Sequence, residues 1–188
     1  APDKKNPARA MDVRPDTPEG LKPKDLIGIP WRLAFALQDD GWYLRSDIVW
    51  NKPNAMPESV KDRPARSHEF LFMLTKTEKY FYDWQAVREP ADGGGLRNRR
   101  SVWHVNAKPF AGAHFATFPP DLIRPCIQAS TGPGDYVLDP FFGSGTVGLV
   151  CQEENRQYVG IELNPEYVAL AADRLQGQDS NVIRIAAA

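Results

Sequence analysis

Apolar residues first fall into a regular pattern near Asp25. Leu26, Ile29, Leu33 and Leu37 recur at helical spacing, with Pro30 expected to kink the helix and Gly41 to stop it. Tyr43 to Trp50 reads as a strand, broken by Asn51-Lys52-Pro53-Asn54. Residues 68–75, His-Glu-Phe-Leu-Phe-Met-Leu-Thr, form a continuous apolar run of the kind found in strands covered on both faces. A short turn from Lys76 to Lys79 leads into Tyr80-Phe-Tyr-Asp83, which predicts a hairpin. Residues 90–120 lack a period and contain Gly93-Gly94-Gly95. From Pro119 to Ser130 a helix is expected, with Leu122, Cys126 and Ala129 on one face. Strand 136–139, a helix from about Thr146, strand 158–163 and helix 165–175 then alternate. Asn164 suits an N-cap, Pro165 suits the first helical position, and Val168, Ala171 and Leu175 supply a buried face. The pattern is that of an α/β protein with a largely parallel sheet.

Composition narrows the classes. A chain of 188 residues is most simply one domain with a substantial core. Residues 1–24 are expected to be irregular or mobile, because five prolines (Pro2, Pro7, Pro15, Pro18, Pro23) stand among charged and small residues. The formal net charge of −1 advertises no overall field for nucleic acid, so any such contact needs a local patch. Cys126 and Cys151 lie in apolar helical patterns and no CxxC or HxxxH spacing occurs, so neither disulfides nor a metal are expected. No apolar run reaches the roughly 20 residues that span a bilayer, and no signal-peptide core is visible. A cytoplasmic protein is expected.

Candidate chemistry concentrates in Asp139-Pro-Phe-Phe-Gly-Ser-Gly-Thr146, between a predicted strand and a predicted helix. Such a glycine loop lets backbone N–H groups approach a ligand at a helix N-terminus. Gly143-Ser-Gly145-Thr-Val-Gly148 satisfies GxGxxG, which alone fits a dinucleotide, a nucleoside or tight packing. In a dinucleotide fingerprint the first glycine usually follows the strand at once, whereas here Asp139-Pro-Phe-Phe intervenes. A P-loop is excluded, since no Lys-Ser or Lys-Thr follows the glycines. Glu162 ends the next predicted strand, where a carboxylate can accept hydrogen bonds from both hydroxyls of a ribose.

This combination resembles the S-adenosylmethionine site of methyltransferases, and Asp139–Thr146 looks like the motif of the DNA amino-methyltransferases that modify adenine N6 or cytosine N4. After Gly145 there is room for about two more strands, so the remaining sheet has to precede the loop. That order is the signature of the circularly permuted beta class, with a Rossmann-like sheet whose substrate-side strands come first. Asp47-Ile-Val-Trp-Asn-Lys-Pro-Asn-Ala-Met-Pro57, Arg63 and His68-Glu69-Phe-Leu resemble the same class. His114-Phe-Ala-Thr-Phe-Pro119 resembles the segment that packs on the methionine end of the cofactor. The resemblance covers about residues 21–176 and implies a cofactor site of Asp139, Phe141, Gly143, Ser144, Gly145, Thr146 and Glu162, with His114, Phe115 and Phe118 near the methionine moiety. It divides the domain 25–188 into substrate-side strands (25–89), a short DNA-contact loop region (90–118) and a cofactor-binding half (119–188).

The family's catalytic tetrapeptide, Asp/Asn/Ser-Pro-Pro-aromatic, does not occur. Pro119-Pro120 is the only Pro-Pro pair, preceded by Phe118 and followed by Asp121. In the family that tetrapeptide localises the lone pair of the target amino group and stacks on the flipped base. The catalytic residues are therefore unknown, and a fragment of a longer enzyme, incomplete at the N-terminus, is expected over a chain that has lost catalysis.

The implied partner is double-stranded DNA. Arg97, Arg99, Arg100 and Lys108 lie between Gly93 and Pro120 with no acidic residue, interleaved with Trp103, His104 and Phe110. A second basic cluster is Lys52, Lys61, Arg63 and Arg66, with Asn54 either a DNA contact or a turn former. Trp50 reads as core and His68 as structural. The leading reading is a site-specific DNA methyltransferase of the restriction-modification type. The alternatives are a non-catalytic cofactor- or nucleic-acid-binding fragment and a nicotinamide-dependent oxidoreductase. Monomer and homodimer stay open.

Overall fold

The structure, a computed structural model, describes residues 16–108 and 117–175. Its elements in chain order are α1 (Ile29–Asp39), β1 (Tyr43–Asn51), β2 (His68–Thr75), β3 (Glu89–Pro90), β4 (Leu96–Arg97), β5 (Val102–His104), α2 (Pro120–Ser130), β6 (Tyr136–Asp139), α3 (Thr146–Glu153), β7 (Gln157–Gly160) and α4 (Pro165–Leu175).

Two parallel strand pairs carry the architecture, β1 with β5 and β6 with β7. The strand β2 joins the first pair antiparallel, giving the order β2-β1-β5, and β3 and β4 form a separate two-stranded ribbon. Alternation sets the faces. Phe70 and Phe72 of β2 meet Trp31 of α1 edge-on at 5.5 and 4.9 Å. On the opposite face Ile48, Trp50 and Leu71 pack with Trp103 and with Leu122 and Cys126 of α2. The helix α2 then buries Ile127 in a second core, with Val147, Val150 and Cys151 of α3, Tyr158 of β7, and Ala171 and Leu175 of α4. By facing both cores, α2 ties the β6–β7 pair to the β1–β5 pair.

Several expectations change. Pro30 stands in the first turn of α1, where its missing N–H costs nothing, and so it starts the helix instead of kinking it. The expected inner face of α1 is turned out: Ile29 and Leu33 are exposed, while Trp31 and Ala34 pack inward. The hairpin expected over 68–83 is absent. The Asp83 N–H donates to Ala129 O at 2.8 Å and its Oδ1 accepts the Gln85 and Ala86 N–H groups, so the segment docks on α2. The region 90–118 is not loop alone, since β5 runs parallel to β1 there and Trp103 is buried. The strand expected over 158–163 ends at Gly160, leaving Glu162 two residues beyond it. The helices expected at 119–130, from about 146 and over 165–175 are present, and the class is α/β.

Cys126 and Cys151 are free thiols, and burial pushes both up to about 11, with Arg99 and Arg156 respectively opposing the shift. Among the described residues no helix is long and apolar enough to cross a membrane. No group of three or more His, Cys, Asp or Glu among them could hold a metal ion.

Candidate functional site

The glycine loop leaves the C-terminal end of β6 beside the C-terminal end of β7, where Asp139 is paired with Gly160. The Phe142 N–H donates to Ile161 O at 2.9 Å, so the loop stays stitched to the chain leaving β7. Gly143 and Gly145 have φ of +51° and +74°, the left-handed region that favours glycine. The Gly145 N–H closes a turn onto Phe142 O at 2.9 Å, and the Leu149 N–H reaches back to Gly145 O at 3.0 Å to open α3.

Phe142 is the pivot of this loop. Its ring stacks on Tyr158 at 5.7 Å and is almost fully buried. A Cβ at Gly160 would stand 2.4 Å from the ring, one at Gly148 2.8 Å and one at Gly145 3.4 Å. The last glycine of GxGxxG thus makes room for a phenyl ring. Phe141, the expected cofactor neighbour, is 88% exposed.

Two carboxylates meet at this end of the strands. Glu162 Oε2 accepts the Gly143 N–H and Oε1 accepts the Asn164 N–H, each at 2.8 Å. An ionised carboxylate has about four acceptor positions, so each oxygen keeps capacity for a ligand hydroxyl. Asn164 Oδ1 in turn accepts the Glu166 N–H at 2.9 Å and starts α4. Asp139 Oδ1 accepts the Phe141 N–H at 3.0 Å. Burial pushes the Asp139 pKa above its ordinary value and Glu162 adds to the rise, while the Phe141 N–H opposes it.

Ser144 and Thr146 are buried. Their oxygens face Arg174 of α4, whose Nη1 lies 3.0 Å from Ser144 O and 3.2 Å from both Ser144 Oγ and Thr146 Oγ1. Burial pulls the Arg174 pKa down, and Glu153 opposes that. Sequence reading missed Arg174 and Phe142. A basic residue in the last turn of a helix carries no local sign of a partner 28–30 residues earlier. The choice between Phe141 and Phe142 depends on the space left by Gly160.

Asp139, Gly143, Ser144, Gly145, Thr146 and Glu162 therefore converge around one loop. Among the described residues the Ser144 N–H has no acceptor. Together with the start of α3 it offers donors, while Glu162 offers acceptors. That pairing suits a ligand with both an anionic or carbonyl group and hydroxyls. Phe118 is 36% exposed just before α2, and His114 and Phe115 lie outside the described residues.

The basic residues are mostly paired within the chain. Lys52 contacts Glu69 and sits 4.2 Å over the Trp50 ring. Arg63 pairs with Glu58 at 2.7 Å, and the Arg66 Nε–H donates to His68 O at 3.4 Å. Arg97 bridges Glu89 at 2.9 Å and Asp92 at 3.0 Å, while Arg100 reaches Glu89 at 2.7 Å. Burial raises the Glu89 pKa, but hydrogen bonds from Arg100 and Arg97 outweigh it and hold the carboxyl below its ordinary value. The Arg99 guanidinium lies 4.6 Å from the Trp103 ring centre, and its Nε is buried with no partner among the described residues. Lys61 makes no ion pair among the described residues. The Asn54 side chain is tied twice to Ala107, donating to its carbonyl and accepting its N–H at 2.8 Å each. This fixes the loop after β1 to the chain after β5. Trp50 is core and donates to Val105 O at 2.8 Å.

The family model described as DNA methylase matches residues 6–173. The Type II methyltransferase M.XycI of Xanthomonas campestris pv. cyanopsidis is 93% identical over 188 residues, which are 100% of this chain and 63% of that protein. The chain thus spans under two thirds of that relative's length. Among solved structures, PvuII DNA methyltransferase (cytosine-N4-specific) is similar with a TM-score of 0.67 and 26% identity, over 82% of this chain and 58% of that one. The M1.HpyAVI–SAM complex is similar with a TM-score of 0.63 and 28% identity, over 81% of this chain and 72% of that one. A family match over most of the chain, with the strand–glycine loop–helix unit intact inside it, shows that the chain belongs to the DNA methylase family.

Proposed function

We propose that the protein transfers a methyl group from S-adenosylmethionine to an exocyclic amino group of a base in double-stranded DNA. The carrying observation is the Asp139–Thr146 loop with the Glu162 carboxylate bonded to its Gly143 N–H at the C-terminal ends of a parallel strand pair. Ligands of open α/β sheets bind at such strand ends. The residues fit this cofactor: Glu162 retains acceptor positions for ribose hydroxyls, and the Ser144 N–H is a donor for the amino-acid end. When bound, the sulfonium supplies an electrophilic methyl group. The chain's own part is to bind and orient. Glu162 sets the ribose and the loop backbone sets the opposite end.

Cytosine N4 is favoured as the acceptor by the similarity to the PvuII enzyme, which is named cytosine-N4-specific. In this proposal the groups that accept the target amino protons belong to sequence that the longer relatives have and this chain does not span. Phosphate contacts fall to Lys61 and Arg99 first. Arg63, Arg97 and Arg100 contribute once phosphates compete for their carboxylate partners.

The test uses the full-length protein, unmethylated duplex DNA and tritiated S-adenosylmethionine, followed by mass spectrometry of the nucleosides. N4-methylcytosine is expected. N6-methyladenine would overturn the choice of base, and binding of S-adenosylhomocysteine without transfer would favour a non-catalytic binding module. Absence of both binding and transfer would overturn the cofactor assignment.

A further inference from the structure

Two peptide units of the glycine loop are held in series between opposite charges. The Gly143 N–H donates to Glu162 Oε2 at 2.8 Å. The carbonyl of that same peptide unit, Phe142 O, accepts the Gly145 N–H at 2.9 Å. The carbonyl of the second unit, Ser144 O, accepts from Arg174 Nη1 at 3.0 Å. Carboxylate, peptide, peptide and guanidinium therefore form one line of donors and acceptors, with both peptide dipoles pointing the same way. Bonds in such a line polarise and strengthen one another. Charged ends make the terminal bonds the strong ones.

The unit between these two, Gly143 C=O with Ser144 N–H, stands outside the line. Its N–H has no acceptor among the described residues. Rotation of that unit requires changes in ψ at Gly143 or φ at Ser144, and the clamped neighbours resist both. Arg174 adds a second hold, because the same nitrogen lies 3.2 Å from Ser144 Oγ and from Thr146 Oγ1.

We propose that Arg174 is a positioning residue of the cofactor site, which with Glu162 clamps the loop so that the Ser144 N–H faces the ligand. It acts through the loop and touches no reacting atom. The inference rests on the S-adenosylmethionine site proposed above.

The experiment compares the full-length wild type with Arg174→Met and Arg174→Lys. S-adenosylhomocysteine affinity is measured by calorimetry at a temperature below every melting transition. The amide proton shifts of Gly143 and Gly145 are read without ligand. Arg174→Met is expected to weaken binding about 10- to 100-fold, the usual range for losing a charge-assisted hydrogen bond. Both glycine amide protons should move upfield as the line loses its cation. Arg174→Lys, which keeps the charge and three donors, should restore affinity to within about 3-fold and restore both shifts. A packing role alone would lower the melting temperature of Arg174→Met and leave affinity and shifts unchanged, which overturns the proposal. If Arg174→Met does not fold, loss of affinity or of the shifts in Arg174→Lys overturns it as well. A wild type that does not bind S-adenosylhomocysteine sinks the cofactor reading, while the amide shifts still decide whether the clamp exists.

Discussion

Gly160→Ala is the smallest change that should unseat the glycine loop. A methyl group at Gly160 would lie 2.4, 2.5 and 2.7 Å from Cγ, Cδ2 and Cδ1 of Phe142, whereas non-bonded carbons rest at about 3.5–4.0 Å. The ring would have to retreat by roughly 1 Å. Its retreat is opposed by the core it is packed in, which includes Val147, Ala171 and Leu175, and by Tyr158, which stacks on it at 5.7 Å. Overpacking of this kind costs about 1–3 kcal/mol. Alanine narrows the unfolded ensemble, which returns about 0.4–1 kcal/mol. The net expectation is a loss of about 1–2 kcal/mol, read as a lower urea midpoint at unchanged slope.

The mechanism makes a sharper demand than the size of the loss. Phe142→Ala alone should cost about 3–5 kcal/mol through its cavity. In that background the methyl group of Gly160→Ala enters the vacated space, so its own cost should vanish. The double variant should then be more stable than the sum of the single effects by about 1–3 kcal/mol. Additive effects, or a Gly160→Ala variant as stable as the wild type, would refute the claim that Gly160 exists to seat Phe142.

Asp139 gives a pH test. Its folded pKa is raised by burial and by Glu162, so ionising it costs stability. The penalty is absent below the ordinary value of 3.8, grows as pH rises through the interval up to the folded pKa, and is full at neutrality. Asp139→Asn keeps an oxygen for the Phe141 N–H and removes the charge. The variant free of ligand should therefore melt above the wild type at pH 7, with the gain fading towards pH 4; a gain independent of pH would refute the assignment. Lys61 and Asn54 should separate on the nucleic-acid side. Lys61→Ala should reduce the slope of log affinity against log salt by about 1 in DNA titrations. Asn54→Ala should leave that slope unchanged while lowering stability by about 1–2 kcal/mol, since Ala107 loses both its partners. The reverse pattern would return Asn54 to the DNA surface.

The local units of this protein are written in short stretches of its sequence. Strand β6, the start of α3 near Thr146 and α4 with its Asn164 cap are signalled by residues within one turn of each boundary, so spacing suffices to place them. The loop and Glu162 were legible for the same reason, since a glycine turn after a strand and a carboxylate after the next strand are short-range signals. Family membership follows from those blocks and their order. Packing between segments fixes which phenylalanine is the pivot, because burial of Phe142 in the loop depends on the bare backbone of Gly160 at the end of β7. It alone brought Arg174 to Ser144 and Thr146, and it placed Ile29 and Leu33 of α1 outward by packing Trp31 on β2. It also decided the fate of Arg97 and Arg100, which share Glu89 although residues 93–120 hold no acidic neighbour for them. In each case the deciding contact joins residues that are not neighbours along the chain. A pattern of spacings records what a segment prefers, whereas contact between segments is settled only when competing surfaces meet in the folded chain.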